Sequence, residues 1–157
     1  MKILMDSDCL IKLTKAGLKE HICRQYDITI PAIVKKEVVD AGKSKGSPDA
    51  EAVEKNIKND TLRVAGRESL PNIKGDQALI EIFKRGGYDA IATDDTKLIR
   101  LLRLTGIPFT LPGLFIYSLY QRNIINKITA LNWLESLSTF ISEDEHNMIK
   151  FLLEEKS

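Results

Sequence analysis

The sequence predicts an α/β domain: a parallel sheet wrapped by helices on both faces, with two or three further helices appended at the C-terminus. Three observations carry this. Short apolar runs alternate with amphipathic helical patterns from Lys2 to Leu111, the arrangement of a parallel sheet with crossover helices. The 157 residues are enough to bury one core without a disulfide or a structural metal. With 43% hydrophobic and 29% charged residues, 9 Gly and 5 Pro, the chain is neither disordered nor fibrous. We expect one domain over residues 1–157, with a core in 1–112 and a helical extension in 113–157.

Each element has a local reason. Lys2 to Met5 reads as a short buried strand, and Asp8 to about Tyr26 as helix with a break near Gly17. Ile28-Thr29-Ile30 is a second strand, stopped by Pro31. Proline suits a first helical position, so a helix is expected from Pro31 to about Ala41. Gly42 to Pro48 is polar loop, Asp49 to about Asn59 helix, Thr61 to Ala65 strand and Gly66 to Lys74 loop. A helix runs from Asp76 to Arg85, closed by Gly86-Gly87, and Asp89 to Thr93 is strand. Asp95 to Leu104 is helical, with Leu98, Leu101 and Leu102 on one face and Gly106 at the stop. Phe109 to Leu111 is the last strand. Helices follow at Pro112 to Gln121, Lys127 to Thr139 and from Ser142, where Ser142 and Glu145 have capping-box spacing.

Several function classes fall away. Lys plus Arg number 23 and Asp plus Glu 22, a net charge of +1, so any polyanion contact comes from a local patch and not from bulk charge. The most apolar segment, Ile107 to Tyr120, is interrupted by Pro108, Thr110, Pro112, Gly113 and Ser118, short of the roughly 18 unbroken residues of a membrane span. The N-terminus lacks the pattern of a signal peptide. Cys9 and Cys23 form no CxxC pair and read as free thiols of a cytoplasmic protein. With His21 and His146 the only histidines, neither a Cys/His zinc site nor a nucleophilic triad assembles from spacing. Ala41-Gly42-Lys43-Ser44 resembles the end of a phosphate-binding loop, but Glu37 stands where that loop needs its first glycine.

In parallel α/β sheets ligands bind at the carboxyl ends of the strands. Asp6 and Asp8 follow the first strand, and Asp94 and Asp95 follow the strand at Asp89–Thr93. Helix capping accounts for any one of them, but it does not require two acids at both places. Glu37 shares a helical face with Ile33 and Val34, where a carboxylate is costly unless it snorkels, pairs or binds a cation. Asp76 opens a helix and lines up with Leu79 and Phe83. Carboxylates gathered from these places repel by a few kcal/mol per pair at an effective dielectric near ~20, which a hard divalent cation relieves. Ligation by oxygen alone favours Mg²⁺ or Mn²⁺ over zinc. Acidic sites holding such ions hydrolyse phosphodiesters, one ion activating water and another stabilising the leaving oxygen.

Basic residues supply the rim. Lys97, Arg100 and Arg103 form one face of the helix from Asp95, either solvated or placed to contact phosphates. Lys12, Lys15, Lys35, Lys36, Lys43 and Lys45 extend that rim. Tyr117, Tyr120, Trp133 and Phe140, in the C-terminal helices, read as core or dimer contacts.

These motifs, in this order, resemble the PIN-domain nucleases. Ile3-Leu4-Met5-Asp6-Ser7-Asp8-Cys9-Leu10-Ile11 resembles the family's opening motif. Pro31-Ala32-Ile33-Val34-Lys35-Lys36-Glu37-Val38 resembles the second, Gly75-Asp76 with Ala78-Leu79-Ile80 the third, and Ile91-Ala92-Thr93-Asp94-Asp95 the fourth. The likeness spans residues 1 to about 112. It implies a PIN-like α/β/α sandwich and a Mg²⁺- or Mn²⁺-dependent ribonuclease, often the toxin of a toxin–antitoxin pair and often a homodimer. Asp6, Glu37, Asp76 and Asp95 would hold the metal, with Asp94 adjacent; Ser7, Asp8 and Thr93 would support them. The expected partners are an RNA substrate, an antitoxin protein and a second copy of the chain. Asp8 stands where the toxins frequently have Asn. The Asp94-Asp95 pair, Thr105-Gly106 and the long helical tail resemble more closely a PIN-related prokaryotic group.

Two rival readings remain. Asp6-Ser7-Asp8 after a strand also fits a haloacid-dehalogenase-like phosphatase, with Asp6 as nucleophile and Asp8 as general acid. That reading leaves Leu10 out of pattern and gives Glu37 and Asp76 no role. The other is a PIN-like domain that binds nucleic acid or protein without catalysis.

Overall fold

A computed structural model describes residues 1–31, 63–65 and 75–155. The elements, in chain order, are β1 (Lys2–Met5), α1 (Ser7–Lys15), α2 (Lys19–Gln25), β2 (Asp27–Pro31), β3 (Arg63–Ala65), α3 (Gly75–Lys84), β4 (Ala90–Ala92), α4 (Thr96–Thr105), β5 (Phe109–Thr110), α5 (Pro112–Gln121), α6 (Lys127–Leu137) and α7 (Glu143–Glu155). The five strands form one sheet in the order β3-β2-β1-β4-β5, and every neighbouring pair is parallel. β1 is central, with Ile3 opposite Ile28 on one side and Ala90 on the other. The parallel α/β class is therefore as the alternation predicts.

Alternate residues of each strand point to opposite faces, and the two faces carry separate cores. Ile3 and Met5 of β1, Ile28 and Ile30 of β2, and Ala90 and Ala92 of β4 pack under Leu10 and Leu13 of α1 and Ile22 of α2. The same cluster takes Phe115, Ile116 and Leu119 of α5, Leu134 and Leu137 of α6, and Ile149 and Leu153 of α7. Leu4 and Ile91 face the other way, against Leu79 and Ile82 of α3 and Leu98 and Leu102 of α4. The C-terminal helices thus share the core of the first face with β1 and α1. Each fully buried Ile or Leu contributes about 1.5–3 kcal/mol. Leu4→Ala, in the smaller core, should cost about 2–5 kcal/mol.

Some local expectations shift. The long first helix divides at Ala16–Leu18, where Gly17 takes a φ of 76°. Pro31 is the last residue of β2, opposite Ala65, and not a helical first position: extended backbone accommodates its fixed φ equally well. The helix expected from there to Ala41, the loop to Pro48, the helix to Asn59 and the loop at Gly66–Lys74 lie outside the described residues. On α4, Leu98 and Leu102 are buried, but Leu101 faces outward with Leu104, which is 78% exposed. The helix stops as predicted at Gly106, whose left-handed φ of 70° lets its N–H return to the Leu102 and Arg103 carbonyls.

Both cysteines are free thiols, Cys9 in the core. Among the described residues no helix is long and apolar enough to cross a membrane.

Candidate acidic site at the carboxyl edge of the sheet

β1 and β4 end side by side, and the acids that follow them leave the sheet at the same edge. The Asp6 N–H still bonds the Ala92 carbonyl at 3.1 Å, so pairing persists to the last residue before the turn. Asp6 then caps α1: its Oδ1 accepts the Cys9 N–H at 2.8 Å. Its Oδ2 accepts the Thr93 hydroxyl. Asp6 is only 8% exposed. Burial pushes its carboxyl up from 3.8 to about 7; the bonds from Thr93 and Cys9 oppose that rise, and the charges of Asp8 and Asp94 add to it.

Thr93 joins the two turns. It is fully buried, donates to Asp6 and accepts the Asp95 N–H at 3.1 Å. Asp95 is the N-cap of α4, its Oδ1 accepting from Lys97 N at 2.8 Å and Leu98 N at 3.1 Å. Asp94 turns instead toward α1 and meets Lys12 Nζ at 2.5 Å, with 11% and 28% of the two side chains exposed. Burial alone would depress the Lys12 ammonium; the bond to Asp94 and the charges of Asp94, Asp8 and Glu145 raise it.

The structure thus brings Asp6, Asp8, Asp94, Asp95 and Thr93 together at two adjacent strand ends, with Ser7 opening α1 beside them. Asp76 lies in the first turn of α3, half-buried. That helix runs back toward the start of β4, so Asp76 marks its end nearer the same edge. Glu37, expected as a metal-site acid, lies outside the described residues, as do Lys35, Lys36, Lys43 and Lys45. Lys97, Arg100 and Arg103 are exposed on α4, with the Arg103 guanidinium 5.6 Å from the centre of the Phe109 ring. Lys12 departs from its expected place on a phosphate-contacting rim, because its ammonium is engaged inside the site.

Glu145 performs a task that its spacing does not predict. The spacing of Ser142 and Glu145 predicts a reciprocal capping box, and half of it forms: Ser142 Oγ accepts the Glu145 N–H at 3.0 Å. The Glu145 carboxylate, however, reaches across to α5 and accepts the Gly113 N–H at 2.9 Å. It is 6% exposed. Burial raises its pKa, the Gly113 bond opposes this, and its charge interacts with Asp94 and Lys12. Its place at +3 after a capping serine gave a complete local explanation and concealed this long-range one.

Among the described residues no group of three or more Asp, Glu, His and Cys side chains is placed to hold an ion. The donors that do gather are all oxygens, which suits a hard divalent cation. A cation beside Asp6 would offset the cost of charging a buried carboxylate.

Comparison with known proteins agrees with this architecture. No curated protein matches the sequence. Among solved structures, the fold is similar to a PilT N-terminus domain protein from the hyperthermophilic archaeon Sulfolobus solfataricus P2, with a TM-score of 0.50 and 13% identity. The match covers 75% of this chain and 92% of that one, and at that identity it bears on the fold alone. The family model DUF3368, described as a PIN domain, matches residues 2–155, which takes in α5 to α7 as well as the sheet. The chain belongs to the PIN-domain family.

Proposed function

We propose that this protein is a Mg²⁺- or Mn²⁺-dependent endoribonuclease that hydrolyses phosphodiester bonds at the carboxyl edge of its sheet. PIN domains are a nuclease fold family, and the observation that carries the specific reading is the state of Asp6. A carboxyl at the end of the central strand, 8% exposed and beside Asp8 and Asp94, is an unfavourable place for negative charge unless a cation joins it. In this reading Asp6, Glu37, Asp76, Asp94 and Asp95 hold the cation, and Ser7, Asp8 and Thr93 support them. Lys97, Arg100 and Arg103 contact the phosphate backbone. The cation supplies an activated water and stabilises the leaving oxygen when bound. Thr93 fixes Asp6 and the Asp95 backbone relative to each other, so the strand ends present their acids with little freedom.

The same reading makes the protein a cytoplasmic toxin neutralised by an antitoxin protein, assembled as a homodimer. Outward-facing Leu104, Ile128 and Phe151 supply apolar surface for association. Light scattering on the purified chain checks the dimer.

The deciding experiment incubates the protein with mixed single-stranded and structured RNA under Mg²⁺, Mn²⁺ or EDTA, beside Asp6→Ala. Cleavage that needs the metal and vanishes in the variant is the expected result. Hydrolysis of para-nitrophenyl phosphate with intact RNA would replace this reading with the phosphatase. RNA binding that survives the Asp6→Ala/Asp95→Ala double variant, with no cleavage by wild type, would identify a binding module.

A further inference from the structure

We propose that Glu145 is a positioning residue of the acidic site, delivered by the C-terminal helix α7 to favour positive charge at Asp94. This rests on the nuclease reading above and extends its site beyond the four family motifs.

The chain path alone places it there. β5 lies next to β4, and the Thr93 N–H bonds the Thr110 carbonyl at 3.0 Å. Three residues later Gly113 N donates to Glu145 Oε2. The carboxylate is therefore tethered close to where β4 ends and Asp94 begins. The approach depends on Gly113 lacking a side chain. A Cβ there would lie 2.8 Å from Ile149 Cγ1 and 3.1 Å from Glu145 Oε2. A buried carboxylate clamped between two helices is expensive when a neutral amide could accept the same N–H, so the charge itself calls for a role. Its charge interacts with those of Asp94 and Lys12. Lys12, held at 2.5 Å by Asp94, is the resident cation of this group. Glu145 steadies that cation and would equally favour a divalent ion in its neighbourhood.

The competing role is that of a helix cap and nothing more, and two substitutions separate charge from capping. Glu145→Gln keeps an oxygen for the Gly113 N–H but removes the charge. Glu145→Asp keeps the charge but is too short to hold the same bond. Calorimetric titration of the metal-free protein with Mn²⁺ reads the site, and thermal melting reads the cap. Under the proposal Glu145→Gln melts near wild type but binds Mn²⁺ about three- to tenfold more weakly, the size expected for loss of a single screened charge. Glu145→Asp melts lower yet binds Mn²⁺ more tightly than Glu145→Gln. Asp144→Asn, an exposed neighbour on the same helix, changes neither. Mn²⁺ affinities that follow the melting order, with Glu145→Gln equal to wild type and Glu145→Asp impaired, overturn the proposal while leaving the nuclease reading intact. A wild-type protein that takes up no Mn²⁺ overturns both.

Discussion

The turn after β1 and the turn after β4 use the same local device and obtain different chemistry from it. Each strand ends in an acid whose side chain caps the following helix, Asp6 onto Cys9 N and Asp95 onto Lys97 N and Leu98 N. Asp6 sits on the central strand, covered on both sides, and burial lifts its carboxyl to about 7. Asp95 lies two residues farther from its strand, half-buried, and its cap is an ordinary surface cap. Capping geometry is a local property written in a few residues, whereas the reactivity of the capping acid depends on which strand carries it. Thr93, donating to one turn and accepting from the other, makes the two a single unit.

The largest expected effect comes from neutralising the buried member. Asp6→Asn retains an oxygen for the Cys9 N–H, so α1 stays capped. Metal-dependent cleavage should fall by more than roughly 100-fold, since even partners outside the ligand set of a metal site are worth 10–100-fold. Stability should move the opposite way. The folded carboxyl is raised above its ordinary value, so the native state holds its proton more tightly than the unfolded chain does. Wild-type stability therefore falls as pH rises from about 4 to about 7, by an amount on the order of 4 kcal/mol, and then levels. Metal-free Asp6→Asn should melt above wild type at pH 8 and level with it near pH 4. Saturating Mn²⁺ should reverse the order at pH 8. Melting curves at the two pH values, with and without metal, check this. A variant less stable than wild type at pH 8 without metal would show that Asp6 is not held against burial.

Breaking the link between the turns comes next. Thr93→Val is nearly isosteric and fully buried, and it leaves both Asp6 and the Asp95 N–H short of a partner. The expected cost is about 1–3 kcal/mol in denaturant unfolding. The bond from Thr93 holds the Asp6 pKa down, so the carboxyl should titrate above about 7 in the variant, read by carboxyl carbon NMR.

How much of this was legible in the sequence follows from the range of the interactions. The strand ends, the acids after them and the stop at Gly106 are local and were readable from patterning and caps. Leu98, Leu101 and Leu102 share an arc by spacing, but α4 offers the sheet a stripe wide enough only for Leu98 and Leu102. Pro31 satisfies both a strand end and a helix start, and only pairing with β3 decides between them. Sequence neighbours alone make Glu145 a capping-box acid and Lys12 a rim cation. Their partners Gly113 and Asp94 lie 32 and 82 residues away, beyond any spacing rule.

Asp95 gives a smaller and sharper test of the second turn. Asp95→Ala should cost about 1 kcal/mol through loss of the cap, while Asp95→Asn, an equally good cap, should be nearly neutral. Both should lose cleavage if the carboxylate also serves the metal. Full activity in Asp95→Asn would leave it a cap alone and shift the ligand role to Asp94.

The smallest effect on function is expected at Lys12, and it separates a rim cation from a resident one. Asp94 is the more buried partner, 11% exposed, so Lys12→Met strands its carboxylate among the other acids and should lower metal-free stability, which melting reads. The Lys12 ammonium occupies Asp94, which a divalent cation would share. Removing it should leave RNA affinity almost unchanged and tighten Mn²⁺ binding a few-fold, because the ion no longer competes with a fixed positive charge. Arg100→Ala, on the exposed face of α4, should do the reverse: Mn²⁺ binding stays, RNA binding weakens, and the salt dependence of RNA affinity drops by about one phosphate contact. Fluorescence anisotropy with a labelled RNA at several salt concentrations, beside Mn²⁺ titration, measures both. If Lys12→Met lowers RNA affinity and the salt slope as Arg100→Ala does, then Lys12 leaves Asp94 when RNA arrives. The turn after β1 would then supply a phosphate contact as well as its buried acid.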